Sequence, residues 1–195
     1  AINNNNQLSG TISSMSNKPL LRDVHIYNNN LSGALPSFTN TPNLGTLHLF
    51  GNQLTGNIPN YNLPELYSLI LDNNLLSGNI PVFTLPKMEY LTLTNNQLLG
   101  NLPNFNFPLL QTIYLQNNNL SGCFPASYSA YCGITYNFSN NPLLPWQGDF
   151  SQFCANQPQI GAPCDNSATA GTDEIQPDCS CDLSCAIYSA TLSDR

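Results

Sequence analysis

Charged side chains are scarce in this chain. Only 8% of its 195 residues are charged, and it has four Lys or Arg residues and two His residues. An average globular protein has roughly 25% charged residues. Residues 1–148 hold three basic and four acidic residues, a balance of −1, whereas residues 149–195 hold one basic and seven acidic residues, a balance of −6. Such a chain has no basic stripe that could neutralise phosphates, so nucleic-acid binding is not expected.

Long apolar runs and early cysteines are also missing. No run approaches the ~20 apolar residues that a membrane span needs, so membrane insertion is not expected. The chain starts with AINNNN, and we expect that a secretion signal, if one existed, has been removed. All seven Cys residues follow residue 122. Clustered Cys residues in a chain with little charge favour disulfides and a secreted or cell-surface location.

The sequence contains no familiar catalytic pattern. It has no G-x-S-x-G, no H-E-x-x-H and no phosphate-binding loop. Asp23 and Asp72 are too far apart in the repeat to form a glycosidase pair. We therefore expect no enzymatic activity, no cofactor and no catalytic or metal-binding residues.

What the chain does have is an internal repeat of 22 or 23 residues. A Gly recurs at the end of a Leu-containing turn, at Gly10, Gly33, Gly56, Gly78, Gly100 and Gly122. Alternating apolar residues precede an Asn in each unit, as in Leu44, Leu47, Leu49 and Asn52. The pattern is L-x-x-L-x-L-x-x-N-x-L-S-G-x-I-P.

This pattern resembles the leucine-rich repeat, in the subtype of plant receptor ectodomains and polygalacturonase inhibitors. The shorter units, with a second proline, are similar to repeats of secreted bacterial or algal surface proteins. The resemblance implies a solenoid of the α/β-solenoid class that is mostly β. We expect it to be right-handed, with one parallel β-sheet on the concave face. Two prolines per unit predict extended or 3₁₀ segments on the convex side.

Two columns of residues have a predicted structural role. An Asn side chain carries both a donor and an acceptor, so a stacked column can satisfy the backbone where each unit leaves its strand. This predicted Asn ladder consists of Asn6, Asn29, Asn52, Asn74, Asn96, Asn118 and Asn141. An aromatic residue follows each I-P step and predicts a buried aromatic spine of Phe38, Tyr61, Phe83, Phe105 and Tyr128.

The outward positions of the predicted strands define a candidate binding surface. Because strand side chains alternate between faces, these residues lie on the concave side. They are His25, Tyr27, His48, Phe50, Ile70, Asp72, Tyr90, Thr92, Tyr114 and Gln116. Exposed aromatic residues among small polar ones are typical of binding surfaces. One interpretation of the stacked His25 and His48 is a weak metal-binding or pH-sensitive site. The alternative is that they are two solvated residues of the binding face.

The two ends of the repeat array differ from its middle. We expect repeats over residues 1–122, a degenerate repeat and disulfide-bearing C-terminal cap over residues 123–164, and an acidic tail or linker over residues 165–195. Trp146, Phe150 and Phe153 offer apolar cover for the C-terminal end. The expected disulfides are Cys123–Cys132 and Cys154–Cys164, and Cys179, Cys181 and Cys185 are further disulfide candidates. The first unit lacks a cap, which implies a fragment, a missing preceding segment or a neighbouring subunit.

These features predict a non-catalytic extracellular scaffold that recognises a protein or a glycan. One alternative is a structural subunit that self-associates end to end into a filament or surface layer. A second is an ice-binding solenoid, suggested by a column of outward threonines at Thr46, Thr92, Thr94, Thr112 and Thr135. Three N-x-S sequons, at Asn30, Asn119 and Asn137, are candidates for glycosylation in a secretory pathway.

Overall fold

The computed structural model describes residues 2–3 and 7–155, and these residues form a stack of parallel strands. Strands are numbered in chain order. The concave-face sheet has seven of them, paired in parallel in the order β1-β3-β5-β7-β9-β11-β13. They are β1 (Ile2–Asn3), β3 (Asp23–Tyr27), β5 (Thr46–His48), β7 (Ser68–Ile70), β9 (Tyr90–Thr92), β11 (Thr112–Tyr114) and β13 (Thr135–Asn137).

Leucines of successive units line up on the inner side of this sheet. Leu47 pairs in register with Leu69, Leu69 with Leu91, and Leu91 with Ile113, and all four side chains are fully buried. A second fully buried row follows two residues later in each unit, at Leu49, Leu71, Leu93 and Leu115. A unit of 22 residues cannot enclose its own leucines, so each unit is stabilised by its neighbours. The predicted leucine-rich-repeat solenoid is confirmed.

A second parallel sheet, which the sequence did not predict, runs along the Leu-Ser-Gly segments. Its order is β12-β10-β8-β6-β4-β2. Its strands are β2 (Ser9–Thr11), β4 (Asn30–Ala34), β6 (Gln53–Gly56), β8 (Leu75–Asn79), β10 (Gln97–Asn101) and β12 (Asn119–Ser121). The sequence predicts turns at these segments because each ends in a Leu- and Gly-containing signature. Their backbone groups nevertheless pair with the equivalent segments of adjacent units, which adds a second sheet to the predicted concave one.

The convex side is free of α-helix in the repeats that the structure describes, as the paired prolines predicted. All five rings of the predicted aromatic spine are buried, with exposures between 0% and 6%. Ring centroids lie 5.6 Å apart for Phe38 and Tyr61, 6.1 Å for Phe83 and Phe105, and 6.0 Å for Phe105 and Tyr128. The Tyr61 hydroxyl donates to the Pro36 carbonyl at 3.0 Å, which satisfies this buried polar group.

Aromatic packing closes the C-terminal end. Two 3₁₀ helices (Ala126–Tyr131 and Pro145–Gly148) and one α-helix, α1 (Phe150–Ala155), follow the last repeats. Phe150 is 1% exposed, and its ring centroid lies 4.8 Å from those of Tyr136 and Phe138. Phe153 packs against Phe150 at 5.1 Å. Trp146 was expected to join this cover but is 44% exposed, because residues 146 and 147 have positive φ and form a turn at the surface.

The disulfide of the described residues joins Cys132 to Cys154. The predicted pairs Cys123–Cys132 and Cys154–Cys164 were therefore wrong. Those two predictions rested only on the spacing of the cysteines along the sequence. In the structure, the 3₁₀ helix before Cys132 and helix α1 bring Cys132 and Cys154 to a Cα–Cα distance of 5.5 Å. Residues 156–195, which include the outer part of the predicted cap, the predicted tail, and Cys164, Cys179, Cys181 and Cys185, lie outside the described residues.

Candidate functional site

The Asn ladder forms the polar wall beside the core. The Asn74 side-chain amide nitrogen donates to the Leu71 carbonyl at 3.0 Å and to the Leu49 carbonyl of the preceding unit at 3.1 Å. Its Oδ1 accepts the Leu54 backbone N–H at 3.1 Å. Asn74 therefore connects neighbouring units through buried backbone groups, and without it the Leu54 N–H would lose its side-chain acceptor.

The same hydrogen bonds repeat along the stack. The ladder's Oδ1 atoms accept backbone N–H groups at 3.0–3.2 Å from Leu31, Leu54, Leu76, Leu98 and Leu120. At the N-terminal end of the described ladder, Asn29 Oδ1 is buried without a partner among the described residues. Asn6 lies outside those residues. This column builds the scaffold, and it leaves the opposite side of the sheet available for other contacts.

Strand register arranges the outward side chains of the concave sheet in three rows. The first row contains Asp23, Thr46, Ser68, Tyr90, Thr112 and Thr135; the second contains His25, His48, Ile70, Thr92, Tyr114 and Asn137. The third row contains Tyr27, Phe50, Asp72, Thr94, Gln116 and Ser139. Along this row, the backbone N–H that follows each residue donates to the carbonyl of the equivalent residue in the next unit. Asn28 N, for example, donates to Phe50 O at 2.9 Å. The structure therefore brings all ten predicted binding-face residues onto one sheet.

Two stacked ring pairs dominate the N-terminal half of this face. The imidazoles of His25 and His48 lie 4.5 Å apart with an interplanar angle of 7°. The rings of Tyr27 and Phe50 lie 4.4 Å apart at 10°. All four side chains are half-buried, because each ring is covered by its neighbours within the column. These two stacks, of two rings each in neighbouring rows, are called the aromatic platform below.

A hydrogen-bonded chain fixes the orientation of His25. The Thr46 hydroxyl donates to Asp23 Oδ1 at 2.6 Å, and His25 Nε2 lies 2.8 Å from the same hydroxyl oxygen. Since the hydroxyl proton is used by Asp23, the Thr46 oxygen accepts and His25 Nε2 donates. The equivalent atom of His48 lies 2.8 Å from the Ser68 hydroxyl.

His48 is uncharged at neutral pH. Burial and, to a smaller extent, repulsion from His25 lower the pKa of His48 to about 4, while the carboxylate of Asp23 opposes the shift. Protonating both stacked rings would place two positive charges 4.5 Å apart. Between pH 5 and 8 the platform therefore presents a neutral His48.

Asp72 lies next to the platform in the third row. Its Oδ2 accepts the Thr92 hydroxyl at 2.9 Å, and its Oδ1 accepts the Thr94 backbone N–H at 2.7 Å. Burial raises the pKa of Asp72, and the hydrogen bonds from Thr92 and Thr94 act in the opposite direction. Thr92 was expected on the exposed binding face, but it is only 7% exposed because it is held beneath the carboxylate.

Three of the five threonines on which the ice-binding alternative rests are buried, whereas Thr112 is half-buried and Thr135 is exposed. Thr46, Thr92 and Thr94 are between 5% and 8% exposed. The hydroxyls of Thr46 and Thr92 donate to Asp23 and Asp72 and are therefore already engaged. The regular array that suggested ordered water is interrupted on the described surface.

Two surface features escaped the sequence analysis. An exposed second Asn column runs beside the ladder, where Asn95 Nδ2 donates to Asn73 Oδ1 at 2.7 Å and Asn140 Nδ2 donates to Asn117 Oδ1 at 2.6 Å. These four residues have φ between 54° and 59°, a conformation that Asn tolerates. The sequence feature that could have predicted this column is the Asn-Asn doublet that recurs in the repeats. A shallow depression next to the first row, which contains the Lys87–Glu65 ion pair at 2.7 Å, also had no sequence signal.

No three His, Cys, Asp or Glu residues in residues 2–3 and 7–155 gather closely enough to hold a metal ion. Over the same part of the chain, no helix has the length and apolar character to cross a membrane.

The predicted sequons differ in exposure. Asn30 and Asn119 are exposed on the second sheet. Asn137 is half-buried, and its Oδ1 accepts the Ser139 backbone N–H at 3.0 Å and the Ser139 hydroxyl at 2.7 Å.

Comparison with known proteins places these features in a family. A family model described as Leucine Rich Repeat matches residues 109–130. A search of curated protein sequences finds no match. The structure is similar to the crystal structure of a pollen receptor kinase 3, with a TM-score of 0.61 and 35% identity over 65% of this chain and 64% of that one.

Two further structures are receptor complexes. The ectodomain of the Arabidopsis thaliana membrane receptor kinase GASSHO1/SCHENGEN3, in complex with CASPARIAN STRIP INTEGRITY FACTOR 2, matches with a TM-score of 0.58 and 26% identity over 68% of this chain and 20% of that one. The plant peptide hormone receptor RGFR1, in complex with RGF2, matches with a TM-score of 0.55 and 25% identity over 68% and 27%. This chain thus spans less than two thirds of each of these structures. Together, the repeat pattern, the stacked parallel sheets and these similarities show that the chain is a leucine-rich-repeat protein, similar to plant-type members of that family.

Proposed function

We propose that this chain is a non-catalytic extracellular recognition module that binds an extended segment of a protein or peptide along its concave face. The observation that carries the proposal is the aromatic platform of Tyr27, Phe50, His25 and His48. It is half-exposed on a sheet whose rows contain no Lys or Arg among the described residues. Aromatic side chains that lose little conformational entropy on binding dominate the energetics of recognition surfaces.

The similar receptor structures support this assignment. One is a receptor kinase ectodomain in complex with CASPARIAN STRIP INTEGRITY FACTOR 2, and another is a peptide hormone receptor in complex with RGF2. Extracellular placement is supported by the disulfide between Cys132 and Cys154, since disulfides persist in oxidising compartments. A glycan ligand would stack on the same rings, so the test below includes glycans.

In the end-to-end assembly alternative, the uncovered N-terminal edge of one subunit contacts the C-terminal region of the next. At the C-terminal end, Phe150 and Phe153 pack over β13, so the next subunit would meet the cap rather than a free core. Assembly predicts particles whose size grows with protein concentration, which size-exclusion chromatography measures directly.

The binding proposal is tested by selecting partners from a displayed library of random 12-residue peptides, beside a glycan array. Selected ligands are then measured against the full chain and two variants. Tyr27→Ala with Phe50→Ala removes one stack of the platform. Val82→Ala, which alters a side chain 60% exposed outside the concave sheet, is the matched control.

We expect selected peptides to bind at least about tenfold more weakly to the platform variant and unchanged to the control, since anchor aromatics contribute on the order of 2 kcal/mol each. Peptides that bind both variants like the original chain would contradict a concave-face site. Binding of glycans alone would contradict a peptide ligand.

A further inference from the structure

Most of the charge in the repeats is gathered at one place, the shallow depression next to the first row. This surface, called the flank below, encloses a volume of about 400 Å³. Five of the seven charged residues in residues 1–148 line it, namely Arg22, Asp23, Glu65, Lys87 and Glu89. Because charge is scarce on the rest of the repeats, the flank is where complementary charges would select a partner.

The flank is built on one column of residues, each of which immediately precedes a strand of the concave-face sheet. This flank column consists of Arg22 before β3, Gly45 before β5, Tyr67 before β7 and Glu89 before β9. Its backbones pair in register, since Gly45 N donates to Arg22 O at 2.7 Å, Tyr67 N to Gly45 O at 2.9 Å, and Glu89 N to Tyr67 O at 2.8 Å. Adjacent strands lie about 4.8 Å apart, so Arg22 and Glu89 stand about 14 Å apart at the two ends of the column.

An aromatic ring occupies the centre of the flank column. A Cβ atom at Gly45 would lie 3.1 Å from the Cε1 atom of Tyr67, so the ring of Tyr67 packs against the backbone of Gly45. The ring therefore lies between β5 and β7, midway between Arg22 and Glu89. Tyr67 is 41% exposed, so part of this central ring remains open to a partner.

The two ends of the flank column carry opposite charges that can still form hydrogen bonds. Arg22 is exposed and forms no ion pair with any residue that the structure describes. Glu89 Oε2 accepts the Gln111 side-chain amide at 2.9 Å. A carboxylate has about four acceptor positions, so Glu89 can also accept from a guanidinium. The distance of about 14 Å prevents Arg22 and Glu89 from pairing within one chain.

We propose that the flank binds the same flank of a second copy of this chain, in an antiparallel dimer with its two-fold axis beside Tyr67. A two-fold contact is self-complementary, because whenever residue i meets residue j, residue j also meets residue i. An axis between β5 and β7 exchanges β3 with β9. Arg22 of each copy then meets Glu89 of the other, and the two Tyr67 rings meet at the axis.

The residues on either side of the flank column are complementary in the same arrangement. The axis exchanges the residues two positions before the column with those one position after it. Lys87 of one copy therefore meets Asp23 of the other, and Leu20, which is 87% exposed, meets Tyr90, which is 37% exposed. Glu65, which is paired with Lys87 in its own chain, faces the neutral first-row residue of β5. The contact thus brings no two like charges together.

The expected dimer is weak and leaves the aromatic platform open. A surface about 14 Å long and four residues wide is smaller than the area of about 800 Å² that each partner buries in a standard interface. On the concave face the dimer covers only the first row, whereas the aromatic platform lies in the second and third rows. The dimer therefore does not depend on the ligand proposed above. It also differs from end-to-end assembly, because a two-fold contact closes at two subunits.

Sedimentation equilibrium of the full chain over a range of protein concentrations tests the dimer. Arg22→Glu and Glu89→Arg each place like charges at both symmetry-related contacts, so each should weaken dimerisation at least about tenfold. An equimolar mixture of the two variants restores both attractive pairs and should form heterodimers where neither variant dimerises alone. Val82→Glu, at an exposed side chain away from the flank, is the control and should dimerise like the original chain.

Thermal melts show whether each variant is folded. If one of them is not, the double variant Arg22→Glu with Glu89→Arg provides the test, since it should dimerise with the charges reversed. Three results would overturn the proposal: an original chain that stays monomeric at every concentration, species that grow beyond the dimer, or reversed charges that fail to restore association. Arg22→Glu leaves the aromatic platform intact, so its binding to selected peptides tests the proposed function separately.

Discussion

The repeats and the C-terminal cap are stabilised in different ways. Between β3 and β12, each unit hydrogen-bonds to the next through its strands and its ladder Asn, so the same interactions recur every 22 or 23 residues. From residue 123 onward the strand leucines are replaced by Tyr136 and Phe138, and a disulfide and an aromatic cluster close the end. The difference shows that each repeat is stabilised by the repeat that follows it. The last repeat has no following repeat, and the cap packs against it instead.

The largest expected effect is at the centre of the cap. Phe150→Ala removes a ring that is 1% exposed and contacts Tyr136, Phe138 and Phe124. Removing a buried Phe side chain costs about 3–5 kcal/mol. Chemical denaturation should show this loss, whereas Trp146→Ala, at a side chain 44% exposed in the same cap, should cost much less. Equal losses for the two variants would contradict the packing that we describe.

The disulfide should rank next. Replacing Cys132 and Cys154 together with Ser opens a cross-link between residues 22 apart, and loops of this size contribute about 3 kcal/mol. Reducing agent should lower the unfolding free energy of the original chain by a larger amount than that of the double variant. A mass map that showed Cys132 joined to another cysteine would refute this pairing.

Within the repeats, the buried ladder should matter more than any surface column. Asn74→Ala leaves the Leu54 N–H without its partner and removes one of the two side-chain donors to the Leu49 carbonyl, and we expect a loss of about 1–3 kcal/mol in the unfolding free energy. Denaturant midpoints of the variant and the original chain provide the measurement. An unchanged midpoint would show that the ladder is dispensable.

The exposed Asn column should give the smallest effect. Asn95→Gly keeps the left-handed backbone conformation but removes the side-chain bonds to Asn73 and Asn117, and neutral surface hydrogen bonds contribute about 0.5 kcal/mol each. The same denaturation assay applies. If this variant lost as much stability as Asn74→Ala, the distinction between the buried and exposed columns would fail.

The sequence predicted what depends on periodicity. The inner leucines, the Asn ladder and the aromatic spine each recur at a fixed spacing, and stacked units bring residues of equal phase together. The second sheet was missed because its pairing lies between units. Gly78, for instance, has a φ of 75°, a backbone conformation typical of turns, yet it lies within β8.

The site was predicted only as a set of outward positions. Its chemistry depends on neighbours that phase alone does not reveal. Thr92 is buried because the Asp72 carboxylate of the preceding unit covers it. The disulfide between Cys132 and Cys154 joins segments outside the regular repeats, so the repeat spacing could not predict it.

Hydrogen exchange tests most directly the claim that every unit depends on its successor. In the original chain, the backbone amides of β5, β7, β9 and β11 should be similarly protected, because each pairs on both sides. In Phe150→Ala, we predict that protection is lost first in β13 and β12, then in β11, and last in β5. Loss confined to residues 144–155, with β11 and β12 as protected as before, would contradict the account.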